Sequence, residues 1–284
     1  MRYSLVNRFR GALLGALVSE KKLLGVTSLS KAVVASCESL VKLGTLDVNV
    51  WLELKSDKFV KDNEVINYQV KWILTTLPVA LFFHENPIKL RQNLVNVAQI
   101  WDDEPILRDV ALVFGYAIAL SLEARFTPSN LIPQLLTFLG ETSTDLPEKL
   151  LKVQELSLRR ASLEQIKSEL IRHNQLSEMI AIALYCLITS LEDFPTSVLR
   201  ASQNEQLSPA SSIITGALSG AYNSISGIPI SWQVNQLEPD FREIIALSDQ
   251  LFAAWSGIYD LNSSANHDTV EKFAVVSARI VKWI

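Results

Sequence analysis

The chain has 284 residues, 49% of them hydrophobic and 20% charged, with a formal net charge of −4. That balance excludes a disordered or low-complexity chain and leaves ample length for a closed core. Binding a polyanion needs a clustered surplus of Lys and Arg, and no such stripe is present, so nucleic acid is excluded as the main partner.

The basic opening, MRYSLVNRFRG, lacks a clean apolar core followed by a small-residue cleavage site, so no signal peptide is expected. From Arg8 the chain reads as a helix, with Gly11 and Gly15 one turn apart on one face. Cys37 follows inside another apolar helical pattern, which Gly44 stops. With Cys186 far downstream, the two cysteines are too few and too distant for a disulfide framework or a zinc site, and both read as buried thiols in a reducing compartment. The longest uncharged runs, Trp72–Phe83, Val110–Leu122 and Met179–Leu191, are short of the roughly 20 apolar residues that cross a bilayer. They read as central helices enclosed by others, in a water-soluble, cytoplasmic protein with no membrane span.

Between the first two runs lie His84-Glu85-Asn86-Pro87 and Trp101-Asp102-Asp103-Glu104-Pro105. Each has a chemical reading, an acid–base pair and a relocated carboxylate site, and a plainer structural one. A His after an apolar helix suits the negative end of the dipole, and acidic residues before a Pro suit the start of the next helix. The plainer readings are preferred, because carboxylates adjacent in sequence diverge around a helix axis. Further starts are read at Thr127-Pro128-Ser129-Asn130, Asp145-Leu146-Pro147-Glu148 and Ser162-Leu163-Glu164-Gln165, the last with capping-box spacing. Stops are read at Gly140 and at Ser226-Gly227. Ser208-Pro209-Ala210-Ser211-Ser212 opens a helix whose Gly216 and Gly220 repeat the small-residue spacing of Gly11 and Gly15. Its hydroxyls could face an anion, but nothing basic adjoins them, and an ordinary N-cap explains them. A helix from Asp240 places Phe241, Ile244, Ile245, Leu251, Phe252, Trp255 and Ile258 on one face. The final KFAVVSARIVKWI could dock a partner, though Phe273, Val276 and Ile280 have the spacing of a helix packed on its own bundle. His84, His173 and His267 are scattered, and no Ser/His/Asp spacing or phosphate-binding Gly loop is found. With no sustained two-residue alternation, linker or repeat, one all-α domain over 1–284 is expected.

Two segments carry a family resemblance. RFRGALLGALVSE (Arg8–Glu20) resembles the opening helix of ADP-ribosylglycohydrolases, the group that includes dinitrogenase-reductase-activating glycohydrolases. SSIITGALSGAYNSISGIPISW (Ser211–Trp232) resembles that family's late glycine-rich helix and its turn into Ile-Pro. Between them, CESLVKLGTLD and LTTLPVALFF resemble weaker family segments in the same order. The resemblance implies a single large orthogonal helical bundle of the ADP-ribosylglycohydrolase type. Gly costs about 1 kcal/mol in a helix interior, so a pair in each of two helices implies close packing.

Family members hydrolyse an ADP-ribosyl bond with two divalent cations, Mg²⁺ or Mn²⁺, held by Asp carboxylates. The early Thr-Asp-Asp-Thr element of the family falls here on Thr27-Ser28-Leu29-Ser30, and its late Asp-x-Asp-Thr element on Leu207-Ser208-Pro209-Ala210. Neither retains a carboxylate. The family's Gly-Asp after the opening helix becomes Ser19-Glu20, its catalytic loop shrinks to about residues 21–26, its Met-Arg becomes Leu74-Thr75, and its Thr-His falls on Trp101-Asp102. The expectation is therefore a catalytically inactive family member with no metal and no cofactor, acting by binding. Its partner would be a protein or an ADP-ribose-like ligand contacted by Glu20, Thr27, Ser30, Thr75, Asp102, Ser208 and Ser211. The alternatives are an active hydrolase with altered or metal-free chemistry using Glu20, Asp102 and Asp103, and a structural subunit with a filled pocket.

Overall fold

The structure, a computed structural model, describes residues 3–24, 30–49, 51–52, 65–101, 104–123, 125–172, 176–203, 208–233 and 239–257, with the side chains of 24, 30–32, 65–69, 71, 208, 239 and 240 excepted. Among these residues it is all-α, with thirteen helices and no strand. In chain order they are α1 (Leu5–Leu24), α2 (Ser30–Leu43), α3 (Val65–Phe83), α4 (Pro87–Trp101), α5 (Pro105–Glu123), α6 (Leu131–Leu139) and α7 (Leu146–Leu158). There follow α8 (Leu163–Leu170), α9 (Leu176–Thr189), α10 (Phe194–Ala201), α11 (Ser208–Asn223), α12 (Ile230–Gln233) and α13 (Pro239–Ser256). Residues 258–284, with His267 and the C-terminal apolar segment, lie outside the described residues, as does His173.

The three uncharged runs fall in α3, α5 and α9, and their residues within these helices are buried nearly all round. The other helices wrap them with one apolar stripe each, which is how a polar exterior encloses an apolar layer. α5 runs beyond its uncharged stretch to 19 residues and is long and apolar enough to cross a bilayer, yet 78% of its apolar window is buried inside the bundle. It is the core helix that the sequence indicates.

Local signals set the ends. Ser162 and Gln165 form the complete capping box of α8. Asn86 Oδ1 accepts from Lys89 N at 3.0 Å ahead of Pro87, and Asp193 accepts from Thr196 N ahead of α10. Gly44 and Gly140 stop α2 and α6 with φ of 63° and 72°. The stop after α11 differs from the sequence reading at Ser226-Gly227. The positive φ falls on Ser224 (60°, with ψ 178°), in a region that favours glycine, while Gly227 keeps a negative φ. Gly227 is needed for space instead, since a Cβ there would lie 2.5 Å from Cβ of Asn223.

Buried polar groups tie the layers. Asp109, fully buried on α5, accepts from Arg108 and from the hydroxyls of Thr142 and Thr144, fastening the loop after α6. His84 closes the end of α3 through a 2.8 Å contact of Nδ1 with Leu81 O, and its ring packs on Phe9 and Trp255. It is thus the C-terminal residue expected at that dipole end, but a buried one, and burial holds its pKa below the ordinary value.

Candidate functional site

The most extensive contact in the molecule joins α1 to α11, and glycine makes it possible. A Cβ on Gly11 would stand 2.3 Å from the carbonyl oxygen of Gly220, and one on Gly15 would stand 2.2 Å from that of Gly216. Neither distance is physically available, so the two backbones touch over two turns, as the paired spacing predicts. Because Gly11 faces Gly220 while Gly15 faces Gly216, the helices run antiparallel. The same register carries Ser19 and Glu20, at the end of α1, to the first turns of α11, where Ser211 and Ser212 lie. Ser19 Oγ confirms the placement: it would meet a Cβ on Gly216 at 2.2 Å while donating to Gly15 O at 2.7 Å.

At this end of the pair Ser19, Glu20, Ser211 and Ser212 are all fully buried. The hydroxyls of Ser211 and Ser212 have no hydrogen-bond partner. An unsatisfied buried hydroxyl costs about 1–3 kcal/mol, so two on adjacent residues at the opening of one helix mark a polar spot that the fold itself does not use. Beyond Glu20, the ammonium groups of Lys21 and Lys22 sit over the rings of Phe241 and Trp232, at 5.4 Å and 5.7 Å, closing α1 against α13 and α12.

Among the sequence-derived candidates, Glu20 and Ser211 are therefore brought to one end of the α1–α11 contact. Ser208 and Ser30 open α11 and α2 respectively, and their side chains are outside the described residues. Thr75 is buried on α3, but its hydroxyl donates to Trp72 O at 2.6 Å, as Thr76 does to Ile73 O, so the donor proton of each is committed to its own helix. Thr27, Asp102 and Asp103 lie outside the described residues. The start of α5 at Pro105 agrees with the structural reading of that acidic stretch. Ser19 and Ser212, which the sequence reading placed beside the candidates Glu20 and Ser211 without making them site residues, continue the four-residue stripes of Gly15 and Gly216.

The surroundings bear on the two cations the fold family uses. Where α1, α2, α3 and α13 converge there is a void of only about 10 Å³, room for one water-sized probe, lined by Leu13, Ala16, Leu17, Val33, Leu74, Leu77 and Ile244. Among the described residues no group of three His, Cys, Asp or Glu side chains is placed to hold a metal ion. The unpartnered oxygens at the head of α11 are neutral hydroxyls, which do not offset two dications. Residues 27–29 and 207, and the side chains of Ser30 and Ser208, on which the family's acidic elements fall, lie outside the described residues.

At the opposite end of the same helix pair, Arg8 is buried with its guanidinium donating to Ser121 O and, at 3.5 Å, to Ala221 O. These are carbonyls of the closing turns of α5 and α11, so the cation meets two negative dipole ends, and the ring of Tyr222 covers it at 5.8 Å. Burial lowers the Arg8 pKa, while the neighbouring Tyr222 and Tyr3 oppose it.

The fold is shared with known proteins. One solved structure, described as an ADP-ribosylglycohydrolase-related protein complex, matches with a TM-score of 0.63 over 87% of this chain and 98% of its own, at 15% identity. Identity that low speaks for the fold alone: all-α, of the ADP-ribosylglycohydrolase type. Residues 52–260, more than half of the chain, also match the family model described as ADP-ribosylglycohydrolase, and the chain belongs to that family. The matched span includes the glycine-rich α11 and starts downstream of α1. No curated protein matches.

Proposed function

We propose that this family member works by binding rather than by metal-dependent hydrolysis, taking a protein partner or a nucleotide-like ligand at the end of the α1–α11 pair. The observation that carries this reading is the head of α11. There the family's late acidic element is replaced by Leu207-Ser208-Pro209-Ala210, and the next two residues offer only buried, unpartnered hydroxyls. A hydrolase of this family uses its scaffold to hold two cations; here the scaffold is kept, and both acidic elements are replaced by residues without carboxylates. The helix N-terminus that remains suits a neutral or anionic oxygen-bearing group better than a cation.

A protein partner is favoured by a second observation. The solved structure of like fold is itself described as a complex.

Calorimetric titration with Mn²⁺, Mg²⁺ and ADP-ribose tests the proposal, together with an assay for ADP-ribose release from a modified substrate. No metal heat and no release are expected. Stoichiometric uptake of Mn²⁺ with release of ADP-ribose would overturn it and restore the reading in which Glu20, Asp102 and Asp103 serve an active site.

A further inference from the structure

A cavity of about 600 Å³ opens between the C-terminal ends of α7 and α9, the last turn of α10 and the Pro128-Ser129 turn ahead of α6. It is separate from the site above. Asn223, at the end of α11, donates to Leu191 O just after α9, so this neighbourhood lies at the end of α11 remote from Ser208. A helix of 16 residues puts about 24 Å between the two ends.

Two guanidiniums line the cavity, those of Arg160 and Arg200, and no Asp or Glu is among the lining residues. Neither arginine forms an ion pair among the described residues. Arg200 bonds the Ser190 hydroxyl at 3.1 Å and lies 5.7 Å over the ring of Tyr185, whose own hydroxyl donates to Ala161 O. Thr189 and Ser157 likewise donate to backbone carbonyls. The donors left for a visitor are the arginine forks, while Pro128, Leu158, Ala161 and Ile188 supply an apolar wall.

The backbone at Arg160 makes the arrangement specific. α7 ends in a Schellman motif, with Ala161 N bonded to Leu156 O and Arg160 N to Ser157 O. Arg160 occupies its left-handed position, at φ 52°, where glycine is favoured and a side chain is strained. A cation to suit the end of α7 is already present in Arg159, which pairs with Glu155 and Glu169. The second arginine, held in a strained conformation and without a counter-ion among the described residues, therefore has no evident structural task.

We propose that this cavity binds a small organic anion, a phosphate or carboxylate borne on an apolar or aromatic body, through the forks of Arg160 and Arg200. The probes are phenyl phosphate and benzoate, with phenol as the uncharged control, titrated into the full chain by calorimetry and ligand-detected NMR. Saturable binding of at least one anion and none of phenol is expected, and comparison of the two anions distinguishes the phosphate from the carboxylate source. R160G should weaken that binding by about tenfold while leaving Tm unchanged or raised, because glycine adopts the left-handed conformation freely. R200K, which keeps the charge but removes the fork, should weaken it as well. K89Q, a charge loss of the same size at an exposed site, should not. Absence of saturable binding, equal binding by R160G, or an equal loss in K89Q would overturn the proposal. The Mn²⁺ and Mg²⁺ titrations of the α1–α11 site are unaffected by any of these results, and repeating the ADP-ribose titration on R160G separates binding in this cavity from binding at the α1–α11 site.

Discussion

Lys149 of α7 and Glu178 of α9 meet at 3.1 Å in the interior, with the carboxylate fully buried and the ammonium nearly so. Lys149 also donates to Leu170 O at 2.7 Å, and the Glu178 carboxylate accepts from Arg172 N at 2.9 Å, so one pair of charges joins the ends of α7, α8 and α9. Removing one partner strands the other charge. K149M is expected to destabilise the fold by about 3–5 kcal/mol, and K149M/E178L by far less than the sum of the single changes. Urea denaturation of the four proteins of the cycle measures this.

Replacing Gly216 by Ala tests the backbone contact. Alanine would favour α11 by about 1 kcal/mol on propensity alone, but its Cβ would stand 2.4 Å from Gly15 O and 2.2 Å from Ser19 Oγ. Overpacking of this kind costs about 1–3 kcal/mol or more. A net loss of stability in G216A, the reverse of the propensity effect, is the expected result in chemical denaturation.

Ser211 predicts the opposite sign. Its hydroxyl is buried without a partner, so S211A should raise stability by about 1 kcal/mol. If the polar spot serves binding, the same change lowers affinity for whatever occupies the head of α11. Thermal melts with and without candidate ligands separate the two effects.

His84 makes stability depend on pH. Burial is the main cause that holds its pKa below the ordinary 6.5, with the Leu81 carbonyl and Glu85 opposing. Between the lowered value and 6.5 the unfolded chain binds more protons than the folded one, so stability rises with pH across that window. Its contribution is complete above 6.5 and is lost as the solution is acidified. H84F should flatten this part of a stability–pH profile.

Cys37 and Cys186 are fully buried, and burial raises both thiols, that of Cys186 to about 12. Neither should react with iodoacetamide at pH 8 in the folded protein, and both should react in guanidinium, as mass spectrometry would show.

Much of this was legible beforehand because it is local or periodic. The glycine pairs announce a close helix contact through four-residue spacing, and Ser162 announces its capping box within one turn. Asn130 and Asp145 look like caps by the same rule, yet neither side chain caps its helix. The Asn130 carboxamide accepts from Thr127 N, and Asp145 accepts from the distant Ser177 hydroxyl. A backbone donor three residues back holds the first side chain, and a tertiary partner holds the second. Asp109 with Thr142, Glu178 with Lys149, and the cavity of Arg160 and Arg200 join residues that no spacing rule connects. Of the candidate site, the sequence located the α1–α11 end through its glycines and named Glu20 and Ser211, but not that the serine hydroxyls there are buried without partners, since burial is a property of the assembled bundle.

The clasp between α1 and α11 also constrains how the molecule is made. Arg8 and Ala221 are 213 positions apart, so during synthesis the first helix emerges long before its mate exists. Until then its glycine face and the Arg8 cation wait in solvent or in transient company, and the seam is sealed only once α11 has been made. Contacts of such long range fold late and slowly. A nascent chain of this kind is a natural client for holding chaperones, and a lesion in either helix would be felt first as poor yield at synthesis rather than as a lowered melting point.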